Sequence, residues 1–213
     1  RAGLAVVLPV KAFGVAKQRL ATVLTDDDRA RLARHLATGV ADVVRADPAA
    51  LLVVSCDDAD VRDWADGVGA TVAWTPGLGL NRAISAGCDT AAGLGATHLV
   101  VAHADLARPA SLLAAASPGA LTVVPDRHRD GTNVMSFPSD TRIEPSYGPS
   151  SFARHLRRAQ DLGIATGHQV RLLADPDLAL DVDTPTDLRH PTISKELPSW
   201  LRIPPDNRCI PAG

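Results

Sequence analysis

Short runs of Val and Leu alternate along this chain with longer stretches in which apolar residues recur every three to four positions. That is the pattern of strands joined by crossover helices in a mostly parallel sheet. The runs predict strands at Leu4–Val10, Leu51–Ser55, Thr71–Trp74, His98–Ala102 and Leu121–Pro125, with further extended pieces at Thr132–Phe137 and Leu178–Val182. Several are apolar without a break, as strands covered on both faces are. Thr25 is placed to cap a helix running through Asp26–Asp28 into Arg29–Ala46. Its Leu32, Leu36, Val40 and Val43 share one face, and its acidic residues sit at the positive end of the helix dipole. Further helices are predicted over Ala59–Gly67, Leu80–Leu94, Pro109–Ala115 and Ser150–Leu162. From about His190 the pattern gives way to Pro-rich, weakly periodic sequence, which divides the chain into a domain over 1–190 and a tail over 191–213. Trp200, Leu201 and Ile203 give that tail apolar surface to dock on its own domain or on a second subunit of a homodimer.

Composition narrows the ligand class. With 213 residues and 46% hydrophobic content, the chain can bury one full α/β core. A formal net charge of −2 gives no field for a nucleic acid or an anionic membrane, so a small-molecule ligand is expected. Cys56, Cys88 and Cys209 form neither a CxxC pair nor a zinc spacing, which points to a reducing, cytoplasmic setting. Arg1–Val10 lacks the apolar length of a secretory leader, and no stretch approaches the roughly 20 apolar residues of a membrane span.

Four segments can carry chemistry. In an open α/β sheet ligands bind beyond the carboxyl ends of the strands, and there the first strand delivers Lys11, Lys17 and Arg19, three cations suited to a polyphosphate or to a solvated turn. Gly14 stands alone, so the loop is neither a GxGxxG fingerprint nor a Walker A loop, and side chains must hold the phosphates. Asp105, delivered by the apolar strand ending at Ala102, suits either a hard cation or the cap of the helix near Pro109. His103 beside it suits a hydrogen-bonded structural role better than a ligand role. Asp181 and Asp183 are two apart, so on a strand both carboxylates share a face and repel unless a cation lies between them, although Asp183 can also cap the turn at Thr184-Pro185. With Asp105 they would form a carboxylate cluster suited to Mg²⁺. Finally, Gly131 and Gly148 permit close backbone approach, Thr132 and Ser151 offer hydroxyl donors, and Ser150-Ser151 stands where a helix presents free N–H groups to an anion.

In this order the segments LPVKAFGVAKQRLA (8–21), GLGLNRAI (77–84), HADL (103–106), DGTNVM (130–135), YGPSSF (147–152) and DVDTPTDL (181–188) resemble the guanylyltransferases of coenzyme F420 biosynthesis. Those enzymes act on phosphoenolpyruvate or 2-phospho-L-lactate with GTP. The resemblance covers the chain to about residue 190 and implies a Rossmann-like nucleotide-diphospho-sugar transferase fold. It implies Mg²⁺ on Asp105, Asp181 and Asp183, acid contacts at Thr132, Gly148 and Ser151, triphosphate contacts at Lys11, Lys17 and Arg19, and a nucleotide border at Gly79, Leu80 and Asn81. The Pro149-Ser150 pair leaves two serines able to serve the acid, Ser150 and Ser151.

The expected reaction is in-line attack by a phosphate oxygen of the acid on the α-phosphorus of GTP, with loss of pyrophosphate. An ionised phosphomonoester needs no general base, in keeping with the lack of a nucleophile–base dyad in the sequence. The expected partners are GTP, a small phosphorylated carboxylic acid and the next enzyme of the pathway, which would receive the product. Phosphoenolpyruvate is favoured as the acid on the Ala- and Arg-rich composition, typical of actinobacterial relatives that use it. The other readings are the same transfer to 2-phospho-L-lactate or 3-phospho-D-glycerate, a cytidylyl- or uridylyltransferase of the same fold, a nucleotide-binding module without turnover and, last, a dehydrogenase.

Overall fold

The computed structural model describes residues 3–203. Seven strands form one sheet: β1 (Leu4–Pro9), β2 (Ala50–Cys56), β3 (Thr71–Trp74), β4 (His98–Ala102), β5 (Ala120–Pro125), β6 (Thr132–Pro138) and β7 (Gln169–Leu172), in the spatial order β3-β2-β1-β4-β6-β5-β7. All neighbours pair in parallel except at β6, which runs antiparallel to both β4 and β5. The sheet is therefore mixed and mostly parallel, as the unbroken apolar runs imply.

Alternation along β1 sends Leu4, Val6 and Leu8 to one face and Ala5 and Val7 to the other. Helices α1 (Asp26–Arg45) and α2 (Ala59–Gly67) cover the first face, burying Val40, Val44, Val61 and Trp64. The second face is covered by α3 (Gly79–Gly93) and α4 (Ser151–Thr166), through Ile84, Cys88, Phe152 and Ala159. α1 starts as the sequence predicts, with Thr25 Oγ1 accepting from the Asp28 amide at 3.1 Å. Gly87 lets α3 lie against the sheet: a Cβ there would meet Ser55 Oγ at 2.2 Å and Val7 Cγ1 at 2.6 Å.

Three expectations need correction. Leu178–Val182 is not a strand; among the described residues its ladder contact is an isolated bridge between Leu106 and Asp181. The physical reason lies upstream, where the Asp175 carboxylate accepts from the amides of Asp177 and Leu178 and turns the chain before a ladder can form. Pro109–Ala115 is a 3₁₀ segment, not an α-helix. And β7 was not expected: its exposed Gln169 and half-buried neighbours leave too short a pattern to read.

The first part of the tail packs on its own domain. α5 (Pro185–Leu188) and α6 (Ile193–Glu196) lead to Trp200, Leu201 and Ile203, which join Leu20, Leu24, Leu32, Leu36, Val182 and Leu188 in a third apolar cluster. The Arg31 guanidinium lies 4.1 Å from the centre of the Trp200 ring, a cation–π contact that holds the same segment. Cys209 and the end of the tail lie outside the described residues. Among the described residues no helix is long and apolar enough to cross a membrane, and Cys56 and Cys88 are buried free thiols.

Candidate active site

The chain leaves β1 to build β2 on one side and returns to place β4 on the other, so the carboxyl ends of β1 and β4 flank a topological switch point. Because β6 is reversed, its amino end with Thr132 and Asn133 reaches the same edge, beside the carboxyl end of β5. Here opens a cleft of about 510 Å³ lined by Lys11, Lys17, Arg19, Leu80, Asp105, Thr132, Gly148, Ser151, Asp181 and Asp183, with His103, Asn133 and Tyr147 between them. Gly79 and Asn81 stand back from it.

Asn81 instead uses its amide on the opposite wall. Its Oδ1 accepts from the Tyr147 backbone N–H at 2.7 Å, and its Nδ2 donates to the Tyr147 carbonyl at 3.4 Å. Arg154 holds the same loop, donating from Nη2 to the Ser146 carbonyl at 2.7 Å and from Nη1 to that of Pro149. Between these anchors Gly148 adopts φ +123°, open only to glycine without strain.

Lys17 also has left-handed backbone, at φ +56°, which costs a non-glycine residue about 1 kcal/mol or more. Its ammonium lies 2.6 Å from Asp105 Oδ2, so a cation expected on the triphosphate is bonded to a carboxylate expected on the metal. Arg19 makes the matching contact farther out, from Nη1 to Asp183 Oδ2 at 2.9 Å.

Neither capping role holds. The cap residue of the 3₁₀ segment is Arg108, so Asp105 is free to face the cleft. Thr184, not Asp183, caps α5: its side chain accepts from the Asp187 amide, while the buried Asp187 carboxylate accepts from the amides of Asp183 and Thr184 and pairs with Arg127. Asp183 is thereby held by its backbone with its carboxylate turned to Arg19. Asp181 reaches Asp105 without a strand, because Val182 N donates to the Asp105 carbonyl at 3.1 Å and Ala107 N to that of Leu180 at 2.8 Å.

The electrostatics of the two inner carboxyls diverge. Burial pushes both up and is the largest single effect on each, but at Asp105 the charge and hydrogen bond of the Lys17 ammonium, together with His103 and a backbone amide, outweigh it and leave the carboxyl below the usual carboxylate range. At Asp181 burial, then the Asp105 charge, lifts the pKa to about 7 against the hydrogen bond from Asn133 Nδ2 at 3.3 Å. Burial likewise pushes His103 below its ordinary value. One geometric observation fits a divalent cation: among the described residues Asp105 Oδ1 is buried without a hydrogen-bond partner, although Asp105, Asp181 and Asp183 do not there form a ready-made three-ligand group. A hard cation would also relieve the Asp105 charge that helps to raise the Asp181 pKa.

The serine pair divides. Ser150, at φ +55°, turns its hydroxyl to Asp130 Oδ1 at 3.3 Å and is exposed, whereas Ser151 is buried, lines the cleft and accepts from the Thr132 amide at 3.2 Å. Four further residues carry the site without having been singled out: Asn133, Tyr147, His155 and Asp187. Asn133 and His155 had a legible signal, each being polar on an otherwise apolar face, and Asn133 also donates to the Leu178 carbonyl at 2.9 Å. Asp187 had one as well, the Thr184-x-x-Asp187 spacing of a capping box, whose amide and hydroxyl donors lie three and four residues upstream.

The family model described as "Guanylyl transferase CofC like" matches residues 4–194. A curated protein of Sphaerobacter thermophilus named phosphoenolpyruvate guanylyltransferase is 37% identical over 191 residues, covering 86% of this chain and 90% of its own length. One of the same name from Rubrobacter xylanophilus is 38% identical, over 85% of this chain and 90% of its own. Among solved structures, a nucleotide-diphospho-sugar transferase described as putative from Desulfovibrio desulfuricans superposes with a TM-score of 0.70 at 19% identity, over 88% of this chain and 85% of that one. A 4-diphosphocytidyl-2C-methyl-D-erythritol synthase superposes with a TM-score of 0.54 at 13% identity, over 89% and 97%. The likeness to solved structures identifies the fold as that of the nucleotide-diphospho-sugar transferases, and by its sequence the chain belongs to the CofC-like guanylyl transferase family.

Proposed function

We propose that this chain transfers the guanylyl group of GTP to the phosphate of phosphoenolpyruvate, releasing pyrophosphate, as a step of coenzyme F420 biosynthesis. The observation that carries the reading is the convergence, in one cleft at the switch point of the sheet, of three cations, two buried hydroxyls and four aspartates, of which Asp126 holds the turn at Asp130-Gly131 and Asp105, Asp181 and Asp183 are left to face a ligand. The relatives named for that reaction supply the substrates.

In this reading Lys11, Lys17 and Arg19 hold the triphosphate, Leu80 borders the nucleoside with Gly79 behind it, and Asn81 acts by fixing the Tyr147 loop. Thr132, Gly148 and Ser151 hold the acid. Asp105, Asp181 and Asp183 would hold Mg²⁺, which when bound neutralises phosphate charge at the reacting centre. A phosphate oxygen of phosphoenolpyruvate attacks the α-phosphorus of GTP, a new P–O bond forms, the bond to the β-phosphate breaks, and pyrophosphate leaves with its electron pair. No proton need move, because the attacking phosphate is ionised at neutral pH. The chain's work is to hold two polyanions in line and balance their charge. Nothing in the reaction asks His103 to act as a base, and its lowered pKa keeps it neutral beside Lys17.

The reaction is assigned to the cytoplasm, consistent with the free thiols of Cys56 and Cys88. Its product is a mixed phosphoanhydride with a good leaving group, which favours direct hand-over to the next enzyme of the pathway. The test is to supply GTP and Mg²⁺ with phosphoenolpyruvate, 2-phospho-L-lactate or 3-phospho-D-glycerate in parallel, follow pyrophosphate, and trap the product with that next enzyme. Phosphoenolpyruvate should turn over fastest by at least tenfold; a preference for either other acid overturns the substrate, and free replacement of GTP by CTP or UTP overturns the transfer.

A further inference from the structure

His155 lies on the buried face of α4, with no exposed surface, between Phe152 and Ala159. It does not itself line the cleft but packs behind the lining residues Thr132 and Tyr147, and both of its ring nitrogens are engaged. Nε2 lies 2.8 Å from the backbone nitrogen of Ser146, and Nδ1 lies 3.0 Å from Thr132 Oγ1. An amide N–H can only donate, so Nε2 must be the bare acceptor and Nδ1 must carry the proton. Nδ1 therefore donates to Thr132 Oγ1, and the Thr132 hydroxyl, having accepted, keeps its own hydrogen for another group. Ser151 Oγ is in the same state, because it accepts from the Thr132 backbone N–H. Neither hydroxyl hydrogen has an acceptor among the described residues, and both residues line the cleft.

We propose that His155 is a positioning residue that, as the neutral Nδ1–H tautomer, sets the Thr132 hydroxyl beside that of Ser151 as a pair of donors for an acceptor-only group, the carboxylate or phosphate of the acid substrate. The inference rests on the assignment of Thr132 and Ser151 to the acid and extends it to a residue that does not touch the substrate. Such a pair accepts an ionised oxyanion and rejects an amide nitrogen or a hydroxyl that must donate, a discrimination by unpaired polar groups that is stronger than shape alone gives. Three features hold the ring in this state. The Tyr147 ring packs edge-on against it at 4.7 Å between centroids. The Ser146 amide belongs to the loop fixed by Asn81 and Arg154. Burial, with Arg154, Arg158 and His103 nearby, pushes the imidazole down to about 4, so it stays neutral where the enzyme works.

Two variants separate this role from simple anchoring of the Ser146 loop. His155→Asn keeps a donor near the Nδ1 position and loses the loop acceptor; His155→Gln keeps an acceptor near the Nε2 position and loses the donor to Thr132. His155→Gln should raise the KM for phosphoenolpyruvate on the order of tenfold, with the KM for GTP within about twofold of wild type. His155→Asn should stay closer to wild type. In a Thr132→Val background, His155→Gln should add nothing, because the hydroxyl it acts through is gone. The opposite ranking of the two variants, equal rises in both KM values, or effects that multiply in the double variant would overturn the proposal. The tautomer is read independently of turnover, from long-range ¹H–¹⁵N spectra of the imidazoles with the His155 signal assigned by its loss in His155→Gln. In the wild type, a protonated Nε2 overturns the relay, and a protonated Nδ1 supports it even where the variants are too unstable to assay. Absence of any guanylylated product from the wild type would instead refute the functional reading, leaving the tautomer to decide the relay.

Discussion

Replacing Asp181 with Asn should stabilise the metal-free protein at alkaline pH while ending its activity. The Asp181 carboxyl is lifted from 3.8 in the unfolded chain to about 7 in the fold. A raised acid pKa contributes stability that is whole below pH 3.8 and is lost as pH rises through 7. Between those values the folded state binds the extra proton, and above 7 it must bury a carboxylate beside Asp105. The gap corresponds to a ceiling of ~4 kcal/mol at pH 8, and water entering the open cleft brings it nearer ~2 kcal/mol. Asn carries no charge at any pH and can still accept the hydrogen bond that Asn133 donates. With ~1 kcal/mol moving the midpoint of a domain this size by about 2–4 °C, the variant should melt about 4–8 °C above wild type at pH 8 in EDTA. The difference should shrink toward nothing at pH 4. Thermal unfolding by circular dichroism across that range checks it. Mg²⁺ should then raise the melting temperature of the wild type at pH 8 and leave the variant unchanged. A variant that melts at or below wild type at pH 8 would refute the reasoning, because it would mean that burial and the Asp105 charge do not penalise an ionised Asp181 in the fold.

Three other perturbations follow from the same geometry. Asp187→Ala strips the acceptor from the amides of Asp183 and Thr184 and strands Arg127, so denaturant unfolding should show a loss of ~2–4 kcal/mol, with activity falling further than stability explains. Gly148→Ala forces a side chain onto φ +123° and should raise the KM for the acid while sparing that for GTP, at a cost of ~1–3 kcal/mol in stability measured by the same titration. Lys17→Met removes the partner of Asp105 and a phosphate contact together, so kcat/KM for GTP should fall by at least about tenfold in steady-state assays, more than any change in the KM for the acid.

Legibility in the sequence followed the range of the interactions. β1, β4 and α1 could be read because their signals are local: unbroken Val and Leu runs, and a Thr25 cap before three aspartates. The cleft could be read as a set of strand ends, since any parallel sheet gathers them at one edge. What could not be read was set by contacts distant in sequence. Lys17 meets Asp105 across 88 residues, Asn133 meets Asp181 across 48, and the hydrogen bonds that choose Ser151 over Ser150 run to Thr132 and Asp130. Leu178–Val182 looked like a strand because its alternation is correct, yet the Asp175 turn consumes the amides a ladder would need. Asn81 shows the converse, a motif residue that supports the loop facing the cleft and does not line the cleft itself.

In the proposed transfer a phosphate oxygen of the acid becomes the bridge to the guanylyl phosphorus. Phosphoenolpyruvate labelled with ¹⁸O at its three terminal phosphate oxygens, incubated with GTP, Mg²⁺ and the protein, tests it by ³¹P NMR and mass spectrometry of the products. The guanylylated product should keep all three labels, one of them in the bridge between the two phosphorus atoms, and the pyrophosphate should be unlabelled. Label appearing in the pyrophosphate, or an unlabelled bridge, would contradict the transfer.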